Sequence, residues 1–159
     1  MSTLRLPLTI YEQIRAHGER TYPDECCGAL LGHSTPAGWQ VEAVVETGNS
    51  RTDSPHNRFR IPPLDLVKIA QEAHRLNLEI AGFYHSHPDH PADWSPVDLT
   101  EAHWIGCSFV ITSVVLGKAT QTNSFLLTGT NEEDKRFEPE TILIGEEPAN
   151  SPAPPPECA

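Results

Sequence analysis

Several features that would assign a chain to a class at once are scarce here. One methionine occurs in 159 residues, and aromatic side chains make up 7%. No apolar run approaches the ~20 residues that a membrane-spanning helix needs. Positive charge is thin: 11 Lys and Arg stand against 22 Asp and Glu, a formal net charge of -11. General nucleic-acid binding requires basic surface to displace counterions, so that class is disfavoured. The four cysteines (Cys26, Cys27, Cys107 and Cys158) contain no C-x-x-C, and the adjacent pair is poorly placed to bond with itself. A disulfide framework is not expected, and a reducing compartment is. Met1 to Pro7 has neither the basic cluster nor the apolar run of a secretory signal. The expected location is cytoplasmic, with no membrane partner.

What is present suits one packed domain. Hydrophobic residues are 38% of the chain, and chains of this size bury roughly 68–70% of their unfolded surface. Helical spacing predicts a first helix over Thr9–Thr21, with Tyr11, Ile14 and either His17 or Gly18 on one face. Thr9 is its candidate cap and Pro23 its stop. A second helix is predicted over Pro63–Leu76, its apolar face made by Leu66, Ile69, Ala70, Ala73 and Leu76. A short one is predicted over Ser95–Trp104. Apolar or alternating runs predict strands at Gly28–Gly32, Gln40–Thr47, Glu79–His85, Cys107–Leu116, Thr120–Leu127 and Phe137–Ile144. Gly48–Ser54 reads as a polar loop and Arg58–Ile61 as a short edge strand. Cys107 reads as a small buried thiol. This order predicts an α/β domain over residues 1–145, a mixed β-sheet flanked by helices. From Glu146 the chain is rich in proline and nearly devoid of large apolar residues. Residues 146–159 therefore read as an acidic tail or linker.

The chemistry concentrates between His85 and Asp98. Residues two apart in a strand share a face, so His85 and His87 can present two imidazoles together. Asp98 follows in the first turn of the next predicted helix. Two imidazoles and a carboxylate form a three-ligand metal set with a position left for water, which is the pattern of catalytic rather than structural zinc. A second reading of the same residues is open. Ser95 at an N-cap, Pro96 at N1 and Asp98 at N3 also make a capping box with no metal at all. H-x-H alone is a weak signal, and a lone Glu25 is an ordinary surface carboxylate.

The complete spacing is more specific. Glu25 lies far upstream; His85-x-His87 is followed by seven residues, then Ser95-x-x-Asp98. Cys27, Gly28, Leu30 and Gly32 form C-G-x-L-x-G, and Gly82 begins G-x-x-H-S-H-P. In these positions the chain resembles the JAMM, or MPN-plus, family of zinc metalloproteases over roughly residues 5 to 145. The resemblance implies a JAMM/MPN-like fold of cytidine-deaminase-like design, with Zn2+ on His85, His87 and Asp98. It implies Glu25 as general base and Ser95 as donor to an oxyanion. It also implies a substrate class: the bond after the C-terminal Gly-Gly of a ubiquitin-like or sulfur-carrier protein. Only eight residues separate Asp98 from Cys107, too few for the added loop of polyubiquitin-specific relatives. The chain therefore resembles the compact prokaryotic members.

Weaker candidates surround this set. Asn49, Arg58, Phe59 and Trp94 are possible substrate contacts, with the edge at Arg58–Ile61 a site for strand addition. Trp94 departs from the small residues often found before the serine, and its indole either walls the groove or simply packs. His90 and Asp93 could line the site. His17, His33, His56, His74 and His103 have no partner at ligand spacing and read as surface or helix-face residues. Two competing functions come from other classes. A non-catalytic scaffold of the same fold usually loses motif residues, and none is lost here. A zinc nucleoside deaminase needs H-x-E and P-C-x-x-C; this chain has H-x-H at the motif and no P-C-x-x-C.

Overall fold

A computed structural model of the chain describes residues 1–49 and 61–145. Its elements run β1 (Thr3–Leu6), α1 (Leu8–Thr21), β2 (Cys27–Thr35), β3 (Gly38–Thr47), α2 (Pro63–Leu76), β4 (Glu79–Pro88), α3 (Pro96–Glu101), β5 (Ser108–Val115), β6 (Lys118–Thr128) and β7 (Arg136–Ile144). The expected edge strand at Arg58, with Phe59, His56, the end of the polar loop, Cys158 and the tail, lies outside the described residues.

The expected helix-flanked α/β sheet is wrong. The seven strands close into a mixed barrel in the order β1-β3-β2-β4-β5-β6-β7. The difference is β1, which the sequence reading missed. It pairs in parallel with β7 from Thr3↔Thr141 to Leu6↔Ile144, and with β3 at Arg5↔Gln40. That four-residue strand joins what would otherwise be two free edges. Closure leaves no open edge among these strands.

The alternation of β-strand side chains divides the interior in two. One cluster holds Ala29, Leu31, Phe83, Phe109, Ile111, Phe125 and Phe137, with Ile69 and Ala73 of α2. The other holds Leu4, Leu6, Leu30, Val41, Tyr84 and Val110, with Ile10 and Ile14 of α1. Helix α1 begins at Pro7 without a side-chain cap, so Thr9 does not serve as one. Only Ile69 and Ala73 of the predicted α2 face are buried; Leu66, Ala70 and Leu76 are exposed. Helix α3 stops at Glu101 because Ala102 turns extended (ψ 115°). Cys107 is buried, as expected. No helix among the described residues is long and apolar enough to cross a membrane.

Candidate metal centre

Strand β4 carries the two histidines and is held on both sides. It pairs antiparallel with β2, Cys27 opposite His85, and parallel with β5, His85 opposite Ile111 and His87 opposite Ser113. The strand runs three residues beyond its predicted end at His85, to Pro88. Both imidazoles therefore project from regular strand on one face, and both are buried.

Asp98 comes to them from α3. Ser95 Oγ accepts from the Asp98 amide at 3.1 Å, and the Asp98 Oδ2 accepts from the Ser95 amide at 2.8 Å. The capping box is thus real, and it aims the same carboxylate at the histidines. His85 Nε2 lies 3.2 Å from Asp98 Oδ1, His87 Nε2 lies 3.2 Å from Oδ2, and the two Nε2 atoms are 3.0 Å apart. The two readings of Ser95-x-x-Asp98 do not compete in space.

The tautomer of His87 follows from its other nitrogen. Nδ1 sits 2.8 Å from the Pro91 carbonyl, which can only accept. Nδ1 therefore carries the proton, and neutral Nε2 faces the cluster as a lone pair. Lone pairs and a carboxylate converging this closely repel unless a proton or a cation lies among them. A divalent ion fits this donor set, and one ligand atom from each of the three residues lies within 4.8 Å of the others.

The electrostatics agree. For Asp98, burial acts upward, but the two imidazoles and the Ser95 amide overcome it and hold the carboxyl far below the usual range. His85 is pushed down by burial despite Asp98. His87 feels burial too, yet Asp98 and the Pro91 carbonyl outweigh it and raise it.

Glu25 sits just before β2 and is only 4% exposed. Its Oε2 has no hydrogen-bond partner among the described residues. Burial pushes its carboxyl up to about 8, with His87 opposing and Asp98 reinforcing. It lines a cleft of about 530 Å³ together with His87, Ser95, His90 and Asp93. His90 and Asp93, only weak candidates from the sequence, both line this cleft.

A family model for prokaryotic homologs of the JAB domain matches residues 7–128. The chain belongs to this family. Two curated relatives are similar to it. One, from Thermus thermophilus, is named a probable TtuB-protein conjugate cleaving protease and is 36% identical over 101 residues, 64% of each chain. The other, from Haloferax volcanii, is named desampylase and is 31% identical over 91 residues, 57% of this chain. The matches span 64% and 63% of those relatives' own lengths. Two solution structures share the fold. A Desulfitobacterium hafniense protein has a TM-score of 0.76 at 28% identity, covering 91% of this chain and 94% of its own. A Salinibacter ruber protein has 0.68 at 34% identity, covering 94% of both. The JAMM resemblance of the motif and this membership agree.

The remaining candidates of this JAB-family chain scatter. Asn49 Nδ2 approaches the Glu25 carbonyl at 3.4 Å, beside the site. Trp94 packs on Phe137, ring centres 5.5 Å apart, and lines neither cleft beside the triad. His33, His74 and His103 are exposed, as expected. His17 is not: it is buried, with Nδ1 2.8 Å from the Tyr84 hydroxyl. Sequence reasoning also missed a second cleft of about 410 Å³ on the other side of the triad. His85 and Asp98 border it, and Phe83, Phe109 and Trp104 wall it. Phe83, two residues before His85 on the same strand face, was the available signal.

Proposed function

We propose that this protein is a zinc-dependent peptidase cleaving after the C-terminal Gly-Gly of a ubiquitin-like or sulfur-carrier protein. The observation that carries the reading is the convergence of His85, His87 and Asp98, with His87 lining the same cleft as Glu25, whose buried Oε2 has no hydrogen-bond partner among the described residues. Two imidazoles and one carboxylate suit zinc with a position left open. When bound, zinc supplies a Lewis acid that acidifies water and polarises a carbonyl oxygen.

The chain's own residues supply the rest. Glu25 takes a proton from the attacking water at its carboxylate and returns it to the leaving amine nitrogen. Burial raises this carboxyl in the metal-free chain, and a bound cation would favour the carboxylate form that accepts the proton. The Ser95 oxygen is occupied by the Asp98 amide, which leaves its O–H to donate to the oxyanion. The Pro91 carbonyl keeps the His87 ring oriented with Nε2 free to ligate. The named activities of the two relatives, conjugate cleavage and desampylation, support a protein-conjugate substrate. Cys26, Cys27 and Cys107 are buried and in no disulfide, which suits a cytoplasmic setting.

The test is direct. The zinc-loaded protein is incubated with ubiquitin-like proteins extended beyond Gly-Gly or joined through it to a lysine, and the products are weighed. Cleavage after the second glycine is expected, and His85→Ala and Asp98→Ala should bind no zinc and cut nothing. Stoichiometric zinc with no cut in any such substrate would overturn the reading.

A further inference from the structure

We propose that Lys135 is a positioning residue for the metal ligand Asp98, acting by clamping the far end of α3. The inference rests on the metal-site reading above. Helix α3 is six residues long and none of them is buried; Leu99 alone packs partly against the core. Such a short helix has few internal bonds to hold its own shape. Its N-terminal end is fixed by the capping box of Ser95 and Asp98. Its C-terminal end is fixed from another part of the chain, the β6–β7 connection. The Lys135 ammonium donates to the Ala102 carbonyl at 2.7 Å and the Thr100 carbonyl at 3.2 Å, and pairs with Glu132 Oε2 at 2.6 Å. An ammonium has three donors, and these three partners use them all. Its side chain is only 7% exposed. A cation at the last carbonyls also complements the helix dipole.

The connection is built to present that lysine. Asp134 accepts from the Thr130 amide, the Thr130 hydroxyl and the Asn131 amide, and the Asn131 side chain accepts from the Glu133 and Asp134 amides. Gly129 has φ +121°, and a Cβ there would lie 2.8 Å from the Lys135 Cα. The turn is self-braced and leaves no room for a side chain at its first position. Asp98 thus projects from a short rod pinned at both ends, one of them by a buried cation with no place in the chemistry.

Zinc affinity, measured by competition with a chromogenic chelator, tests this. Lys135→Met keeps the aliphatic stem and removes the charge. It should weaken zinc binding roughly 10- to 100-fold, as loss of a group that supports a ligand does. Lys135→Arg, which keeps a cation, should retain most of the affinity. Unchanged affinity in Lys135→Met, an equal loss in Lys135→Arg, or a Lys135→Met chain that fails to fold would each overturn the proposal. A parent protein that binds no zinc would instead overturn the metal-site reading beneath it.

Discussion

Glu25 makes the most exacting prediction, because the burial that would suit it to catalysis also costs the fold. Its carboxyl is pushed from 4.5 to about 8 in the native chain, chiefly by burial. Between those values the native group holds a proton and the unfolded one does not. The unfolded state then binds fewer protons, so stability falls as pH rises. The contribution is fully present below the unfolded value and is lost as pH climbs through about 8. Each tenfold difference in proton affinity is about 1.4 kcal/mol, so the whole effect is on the order of 4–5 kcal/mol.

Glu25→Gln removes the titration and keeps the shape. Urea unfolding of the metal-free proteins from about pH 5 to about pH 9 should show the variant gaining on the parent steadily with pH. His85, His87 and Asp98 titrate in both proteins, so the difference isolates Glu25. Zinc should narrow the gap, since a nearby cation favours the carboxylate. The same variant should bind zinc and lose most turnover. A stability difference that stays flat across this range would mean that Glu25 is not held protonated, and the argument from burial would fail.

Ser95→Ala removes both the cap of α3 and the hydroxyl offered to the oxyanion. Turnover of the zinc-loaded protein should fall by about 3 kcal/mol of barrier, on the order of 100-fold, with a separate loss of ~1 kcal/mol in stability. A lowered Tm with unchanged kcat would leave Ser95 as a cap only. Gly28→Ala places a Cβ against the ring of Tyr84, which is fully buried and bonded to His17. The cost should be roughly 1–3 kcal/mol by overpacking, seen as a lower Tm. An unchanged Tm would show that the ring is free to move aside.

The stretch from His85 to Asp98 was legible because its geometry is local: a strand period, a seven-residue gap and a cap fit within one stretch of chain. Glu25 was legible only through family resemblance, since nothing in its own neighbourhood distinguishes it from a surface carboxylate. Barrel closure was not legible. The Leu4 and Leu6 alternation in Thr3–Leu6 is too brief to stand out, and its partners lie at Thr141–Ile144. The exposed part of the α2 face failed for a related reason. Period 3.6 says which apolar residues share a side, while only the tertiary contacts say which of them are covered. His17 read as unpartnered because Tyr84, the residue it bonds, is 67 positions away.

The alternation along β4 shows why the site and the fold cannot be read separately. Phe83, His85 and His87 face the clefts, while Tyr84 and Ser86 face the opposite way and are fully buried. Tyr84 ties the back of the strand to α1 through His17. Ser86 accepts the Cys26 amide at 2.8 Å, and its own amide donates to the Cys26 carbonyl at 3.2 Å. Cys26 is the neighbour of Glu25. The residue between the two histidines therefore fixes the segment that carries the carboxylate, and it does so from the face opposite the imidazoles. A one-residue slip of β4 against β2 would turn both imidazoles into the α1 side and part Ser86 from Cys26 in the same movement. The pairing of Cys27 with His85 thus sets the two imidazoles and the carboxylate together.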